Sequence, residues 1–179
     1  VRRFIGASKR EEIIFVRGTN EAINLVAYAW GGNHIGPGDE IVISHLEHHA
    51  NIVPWQFLSQ QAGAILKVAP VDDAGNLLLS EYEDLLSPRT KLVAATQVSN
   101  ALGTVMPIEK IAELGHRYGA RMLIDERNRS RRLRSTCRRP ARTSSCSPGT
   151  RSSGPLESAR STAARTSSRR RLRGRAAAT

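Results

Sequence analysis

Along the first 125 residues, short apolar runs rich in β-branched side chains alternate with longer stretches whose apolar positions recur every three to four residues. Residues 12–16 (Glu-Ile-Ile-Phe-Val) predict a short buried strand. Gly18-Thr19-Asn20 interrupts it, and the spacing over 21–30 predicts a helix. Strands are expected at 39–44 and 64–68, with a helix at 50–61 between them. Pro54 falls early enough in that helix to be tolerated. Asp73-Ala74-Gly75-Asn76 is turn chemistry. Residues 80–86 predict a short helix opened by a Ser80 cap, and 91–98 a strand. The amphipathic stretch 107–118 has Pro at its start and Gly119 just past its end, which brackets a helix. Residues 121–125 predict a last strand.

Strands alternating with helices indicate an α/β domain with a mainly parallel sheet and flanking helices. In such sheets ligands bind at the C-terminal ends of the strands. Four polar features fall there: Thr19-Asn20, Glu47-His48-His49, Asn100 and Asp125. The turn at Gly18-Thr19-Asn20 offers backbone N–H groups and a hydroxyl to an anion, or is a plain N-cap. A histidine between strand and helix can stack on an aromatic ring, move protons, or be an ordinary loop residue. Metal ligation is disfavoured, because Glu47, His48 and His49 are adjacent rather than spaced as in an H-E-x-x-H helix. Asp125 can hold a protonated ring nitrogen, a metal or a ribose, or simply end its strand.

Beyond residue 125 the pattern stops. Residues 126–179 contain 16 Arg and no Lys, and Glu126 and Glu157 are their acids. Their net charge is +14, within a chain total of +11, which leaves −3 for residues 1–125. The large aliphatics of this tail are Leu133, Leu156 and Leu172, too few to offset its conformational entropy, so it is expected to be disordered. Both cysteines, Cys137 and Cys146, lie in it, and no disulfide framework is implied. No run approaches the ~18 apolar residues of a membrane span. The chain opens at Val1 in mid-pattern without a secretory signal, so the expectation is a cytoplasmic chain truncated at its N-terminus. Arg-rich residues could hold phosphates non-specifically with strong salt dependence, a non-enzymatic alternative, but they lack the aromatics of a stacking platform.

The strings "FVRGTNEAINLVA", "ISHLEHHANIVPWQ" and "QVSNALGTVMPIEKIAELGHRYGARMLID" resemble the group II cysteine desulfurases and selenocysteine lyases of the class V aminotransferase family. The resemblance covers residues 1–125 and implies part of the large domain of a fold-type I transferase that uses pyridoxal 5′-phosphate (PLP). It implies roles by position. Thr19 and Asn20 would bind the phosphate, with Asn20 standing where the family usually has a second Thr. His48 would stack on the pyridine ring and move protons. Asn100 would contact the cofactor or the substrate carboxylate side. Asp125 would sustain the charged ring nitrogen that makes PLP an electron sink. The implied substrate is L-cysteine or L-selenocysteine, the sulfur leaving as an enzyme persulfide with L-alanine as product. A homodimer and a sulfur-acceptor protein for iron–sulfur cluster or sulfur-transfer pathways are implied, and no membrane or specific nucleic acid. A kynureninase- or epimerase-like member is the enzymatic alternative.

After Asp125 the family continues as Asp-Gly-Ala-Gln-Ser, whereas this chain has Glu126-Arg127-Asn128-Arg129. Reading GAC GGA GCG CAA TCG G with one G deleted gives GAC GAG CGC AAT CGG, which encodes the observed residues. At the same offset, 143–154 can be back-translated so that the shifted frame spells Asp-Phe-Phe-Val-Phe-Ser-Gly-His-Lys-Val-Phe-Gly. This contains the F-S-G-H-K form of the family's cofactor-lysine motif. Residues 126–179 are therefore expected to be out of frame. The lysine codon is then split between Thr150 and Arg151, the Gln expected near Asn128 is lost, and the sulfur-accepting cysteine is absent. Neither Cys137 nor Cys146 can stand in for it, and this chain is expected to be inactive.

Overall fold

The computed structural model describes residues 1–3, 7–128, 143–147 and 162–164, the last two segments as backbone strands. Its strands are β1 (Ile14–Val16), β2 (Glu40–Ser44), β3 (Ile65–Ala69), β4 (Thr90–Thr96), β5 (Arg121–Asp125), β6 (Thr143–Ser147) and β7 (Thr162–Ala164). They form one sheet in the order β1-β7-β6-β5-β4-β2-β3. Pairing is parallel from β3 through β6, and β7 runs antiparallel to both β6 and β1. The mainly parallel α/β fold expected from the sequence is the one observed.

Alternation along the central strands sorts the core onto both faces of the sheet. Ile41, Ile43, Leu92, Ala94 and Leu123 face α1 (Thr19–Val26) and α3 (Val53–Ala62), where Ile23, Trp55 and Leu58 are buried against them. Val42, Val93, Ala95, Met122 and Ile124 face α4 (Leu79–Leu85) and α5 (Ile108–Arg117), meeting Tyr82 and Ile111. At about 25 cal/mol per Å² of buried apolar surface, such two-sided burial is the main stabilising contribution. The short helix α2 (Gly32–His34) follows α1 after a π-type turn over Ala27–Gly31. Gly63 closes α3 in the left-handed region, φ 67°.

Several local expectations are corrected. β1 is not a buried strand: Phe15 on it is 59% exposed, because β1 is the last strand of the sheet. Residues 10–12 form a 3₁₀ turn instead of continuing that strand. Ser80 is not the cap of α4, which starts one residue earlier with Leu78 at the N-cap and no side-chain hydrogen bond. The helix over 50–61 begins at Val53, after a separate 3₁₀ turn at His49–Asn51.

The uniformly disordered tail is corrected as well, at two places. β6 pairs in register with β5, from Met122↔Thr143 to Asp125↔Cys146, and β7 joins β6 to β1. Strand pairing uses peptide groups, and the open side of β5 offers an unpaired row of them, so small polar residues suffice. Cys137 and the Thr150–Arg151 junction lie outside the described residues.

Candidate functional site

Parallel pairing puts the C-terminal ends of β2, β4 and β5 along one edge of the sheet; the sequence-predicted His48 follows β2, and Asp125 is the last residue of β5. Thr19, beyond the end of β1, is the buried first residue of α1, with Gly18 as its N-cap. The first intrahelical bond is Ala22 N to Gly18 O, 3.1 Å. The N–H groups of Thr19, Asn20 and Glu21 precede it, which makes this turn suited to an anion. The Glu21 carboxylate accepts from Arg17 N at 2.6 Å, a bond that holds its pKa below the ordinary range. Asn20 is exposed, and its carbonyl accepts from Asn24 Nδ2 at 2.7 Å.

His48 caps the 3₁₀ turn, and its half-buried ring lies against that of His49, centroids 3.8 Å apart and tilted 40°. Its Nδ1 accepts from Ala50 N at 3.2 Å. An accepting Nδ1 places the proton of neutral imidazole on Nε2. Burial, His49 and Arg127 lower the His48 pKa, while Asp125 acts to raise it. Asp125 ends β5 and is 3% exposed. Burial pushes its pKa up, opposed by a 2.8 Å hydrogen bond from Arg127 N and by the charges of Arg127 and His48, with Glu126 adding to the rise. His48 and Asp125 are thus within electrostatic reach of one another at the sheet edge.

Asn100 comes shortly after β4. It lies on an exposed turn between Val98 and Val105, which pair across a two-sided loop fastened by Ser99 N to Thr104 O, 2.9 Å. Among the described residues no hydrogen bond joins Asn100 to His48 or Asp125. Asn128 Nδ2 donates to Val98 O at 3.2 Å, binding the start of the tail to this loop.

The lysines are equally informative. The chain has four, all within the described residues. Lys67 pairs with Glu40 at the opposite end of β2, and Lys91, next to the first residue of β4, pairs with Asp39. Lys9 precedes β1, and Lys110 is exposed on α5. None stands at the C-terminal ends of the strands. No group of three or more metal-ligating side chains occurs among the described residues, and no described helix is long and apolar enough to cross a membrane.

Glu47, part of a polar feature marked in the sequence, makes contacts that the sequence did not reveal. The Glu47 carboxylate, 8% exposed, accepts from Ser44 Oγ (2.5 Å), Asn51 Nδ2 (2.6 Å) and Thr96 N (2.8 Å). Asn51 Oδ1 in turn accepts from Trp55 Nε1 at 2.9 Å. Burial pushes the Glu47 pKa up to about 7; its hydrogen bonds oppose the rise, and Asp125 adds to it. The local part of the signal was present as a carboxylate, an amide and an indole at i, i+4 and i+8 in "EHHANIVPW".

The aminotransferase class-V family model matches residues 1–130. Over 124 residues the chain is 84% identical to a probable cysteine desulfurase 1 of Mycobacterium leprae (strain TN), covering 69% of this chain and 20% of that protein. Over 125 residues it is 62% identical to a cysteine desulfurase of Synechococcus elongatus, covering 70% and 20%. The chain therefore spans about a fifth of the length of these relatives. Its fold matches the crystal structure of the Escherichia coli cysteine desulfurase CsdA (S-sulfonic acid) with TM-score 0.81 and 26% identity, over 92% of this chain and 41% of that one. The apo cysteine desulfurase of Thermococcus onnurineus NA1 matches at TM-score 0.77 and 31% identity, over 92% and 40%.

Proposed function

The chain belongs to the aminotransferase class-V family and is of the cysteine desulfurase type, and on that footing we propose that residues 1–125 are the part of a desulfurase that receives the ring and phosphate of PLP, joined at residue 126 to an out-of-frame tail that leaves this chain without turnover. PLP is the cofactor of this family, and the observation that carries the reading is buried Asp125 within electrostatic reach of His48 at a strand edge that has no lysine. A buried carboxylate whose pKa is raised is short of a cation, and a protonated pyridine nitrogen supplies one. The fit is therefore partial: side chains suited to the non-covalent contacts are present, and a lysine for the covalent anchor is not.

When bound, PLP supplies an electron sink for bonds at the substrate α-carbon. The Thr19 hydroxyl and the first N–H groups of α1 would take its phosphate, with Asn20 beside them. His48 would lie against the ring and hold its exchangeable proton at Nε2. Asp125 would accept from the ring nitrogen, and Asn100 would reach the substrate side from its loop. For the intact relative we infer L-cysteine or L-selenocysteine as substrate, alanine as product, a homodimer, a separate sulfur acceptor and a cytoplasmic setting. The frameshift reading is supported by the place of β6: residues 143–147 enter the sheet where the shifted frame begins Asp-Phe-Phe-Val-Phe.

Incubating the purified chain with PLP and cysteine tests this. The expected result is no sulfide release and no covalent-cofactor band near ~420 nm. Sulfide above a chain-free control, or that band, overturns the inactive reading. Sequencing the gene across codons 125–127 is expected to show one base fewer than in an intact relative.

A further inference from the structure

The Glu47 carboxylate is the most heavily used side chain at this edge of the sheet, yet it takes no direct part in the scheme above. It receives Ser44 from the end of β2, the backbone N–H of Thr96 from the end of β4, and Asn51 from the turn that follows His48. The backbone on either side of His48 is thereby fixed to two strands. Asn51 also closes the 3₁₀ turn, since its N–H donates to His48 O at 2.7 Å. Ala50, within that turn, supplies the N–H that His48 Nδ1 accepts. Trp55, a fully buried residue of α3, completes the run through its bond to Asn51.

We propose that Glu47 is a positioning residue for this site: by tying the His48 loop to the ends of β2 and β4, it sets both the place of the imidazole and the nitrogen that carries its proton. Replacing the carboxylate by an amide breaks this chain of bonds in a definite way. Two fixed donors, Thr96 N and Asn51 Nδ2, fall on different oxygens of Glu47. A glutamine side chain at this position has one acceptor oxygen, so one donor must face an NH₂ group. Turning the Asn51 amide to relieve this sets its own NH₂ against the Trp55 indole N–H. Every arrangement leaves a buried donor unpaired, and the turn holding Ala50 N is released.

The functional meaning of His48 rests on the cofactor reading, but its geometry does not, and the experiment separates the two. In the full chain, without cofactor, ¹⁵N shifts of His48 (assigned by their loss in His48→Gln) report its tautomer and titration. The groups acting on that titration are His49, Arg127 and Asp125. In the parent above pH 7, where Glu47 is ionised, the neutral form is expected to be the Nε2–H tautomer. In Glu47→Gln that preference is lost and the His48 pKa rises toward the ordinary imidazole value. A neighbour acting only through its charge would do the reverse, because removing a negative group lowers a histidine pKa. Glu47→Asp, which keeps the charge, should restore the tautomer in part. If Glu47→Gln fails to fold by near-UV circular dichroism, Trp55→Phe carries the test, with a smaller shift in the same direction expected. Unchanged tautomer and titration in a folded Glu47→Gln, or in Trp55→Phe if that variant is the one used, overturns the proposal. Fluorescence titration with PLP tests the cofactor reading by itself: Asp125→Asn should bind about tenfold more weakly than the parent, the scale of one oriented charged contact. No binding by the parent sinks that reading and leaves the His48 result standing.

Discussion

Glu40→Gln removes one charge from the end of the sheet opposite the site and should make stability depend less on pH. Glu40 opens β2 and is fully buried. Its Oε2 accepts from Ser87 Oγ at 2.7 Å and Thr90 Oγ1 at 3.1 Å and pairs with Lys67 Nζ at 2.9 Å; Oε1 pairs with Arg89 Nη2 at 3.2 Å. Burial alone would raise the pKa, but Ser87, Lys67 and Thr90 together outweigh it and hold it at about 2, against an ordinary 4.5. A depression of that size corresponds to about 3 kcal/mol of stability, of the order found on breaking a buried pair from one side. The folded state binds the proton less readily than the unfolded one. The contribution is therefore complete above pH 4.5 and is lost as pH falls through about 2. Urea unfolding followed by tryptophan fluorescence, run on parent and variant at several pH values, measures it. The gap should be about 3 kcal/mol near neutrality, shrink below pH 4.5 and nearly close around pH 2. A gap independent of pH, or one below ~1 kcal/mol at neutrality, would refute this account and reduce Glu40 to a packing role.

Tyr82→Phe removes a buried hydroxyl that donates to Ile111 O at 3.0 Å, and should cost about 1 kcal/mol in the same unfolding assay. Gly75→Ala places a Cβ at φ +79°, 2.6 Å from Leu102 Cδ1. The loss should be about 1–2 kcal/mol, seen as a lower thermal midpoint with an unchanged far-UV spectrum.

The sequence showed the alternating elements and the edge at which the site lies, because periodicity and strand-end polarity are local. Thr19, His48 and Asp125 fall just at or beyond strand ends by count alone, and parallel pairing brings the ends of β2, β4 and β5 together. The clamp by Glu47 was hidden for the opposite reason: Thr96 is 49 residues away, and nothing in either segment announces that their strands are neighbours. Phe15 was misread as buried because an apolar run does not say whether its strand lies at the centre or the rim of a sheet. Ser80 looked like a cap from its residue type, but the backbone turns into α4 one residue before it.

The pairing of β6 with β5 is a matter of backbone alone. A backbone ladder is written in peptide groups, which every residue but proline supplies alike, and so it is largely blind to side-chain order. Thr143–Ser147 take their place beside β5 through these groups. A polypeptide can thus keep the outline of its family whatever side chains it carries at the positions on which chemistry depends. For this chain, resemblance of shape is a record of descent, and competence has to be read from individual side chains.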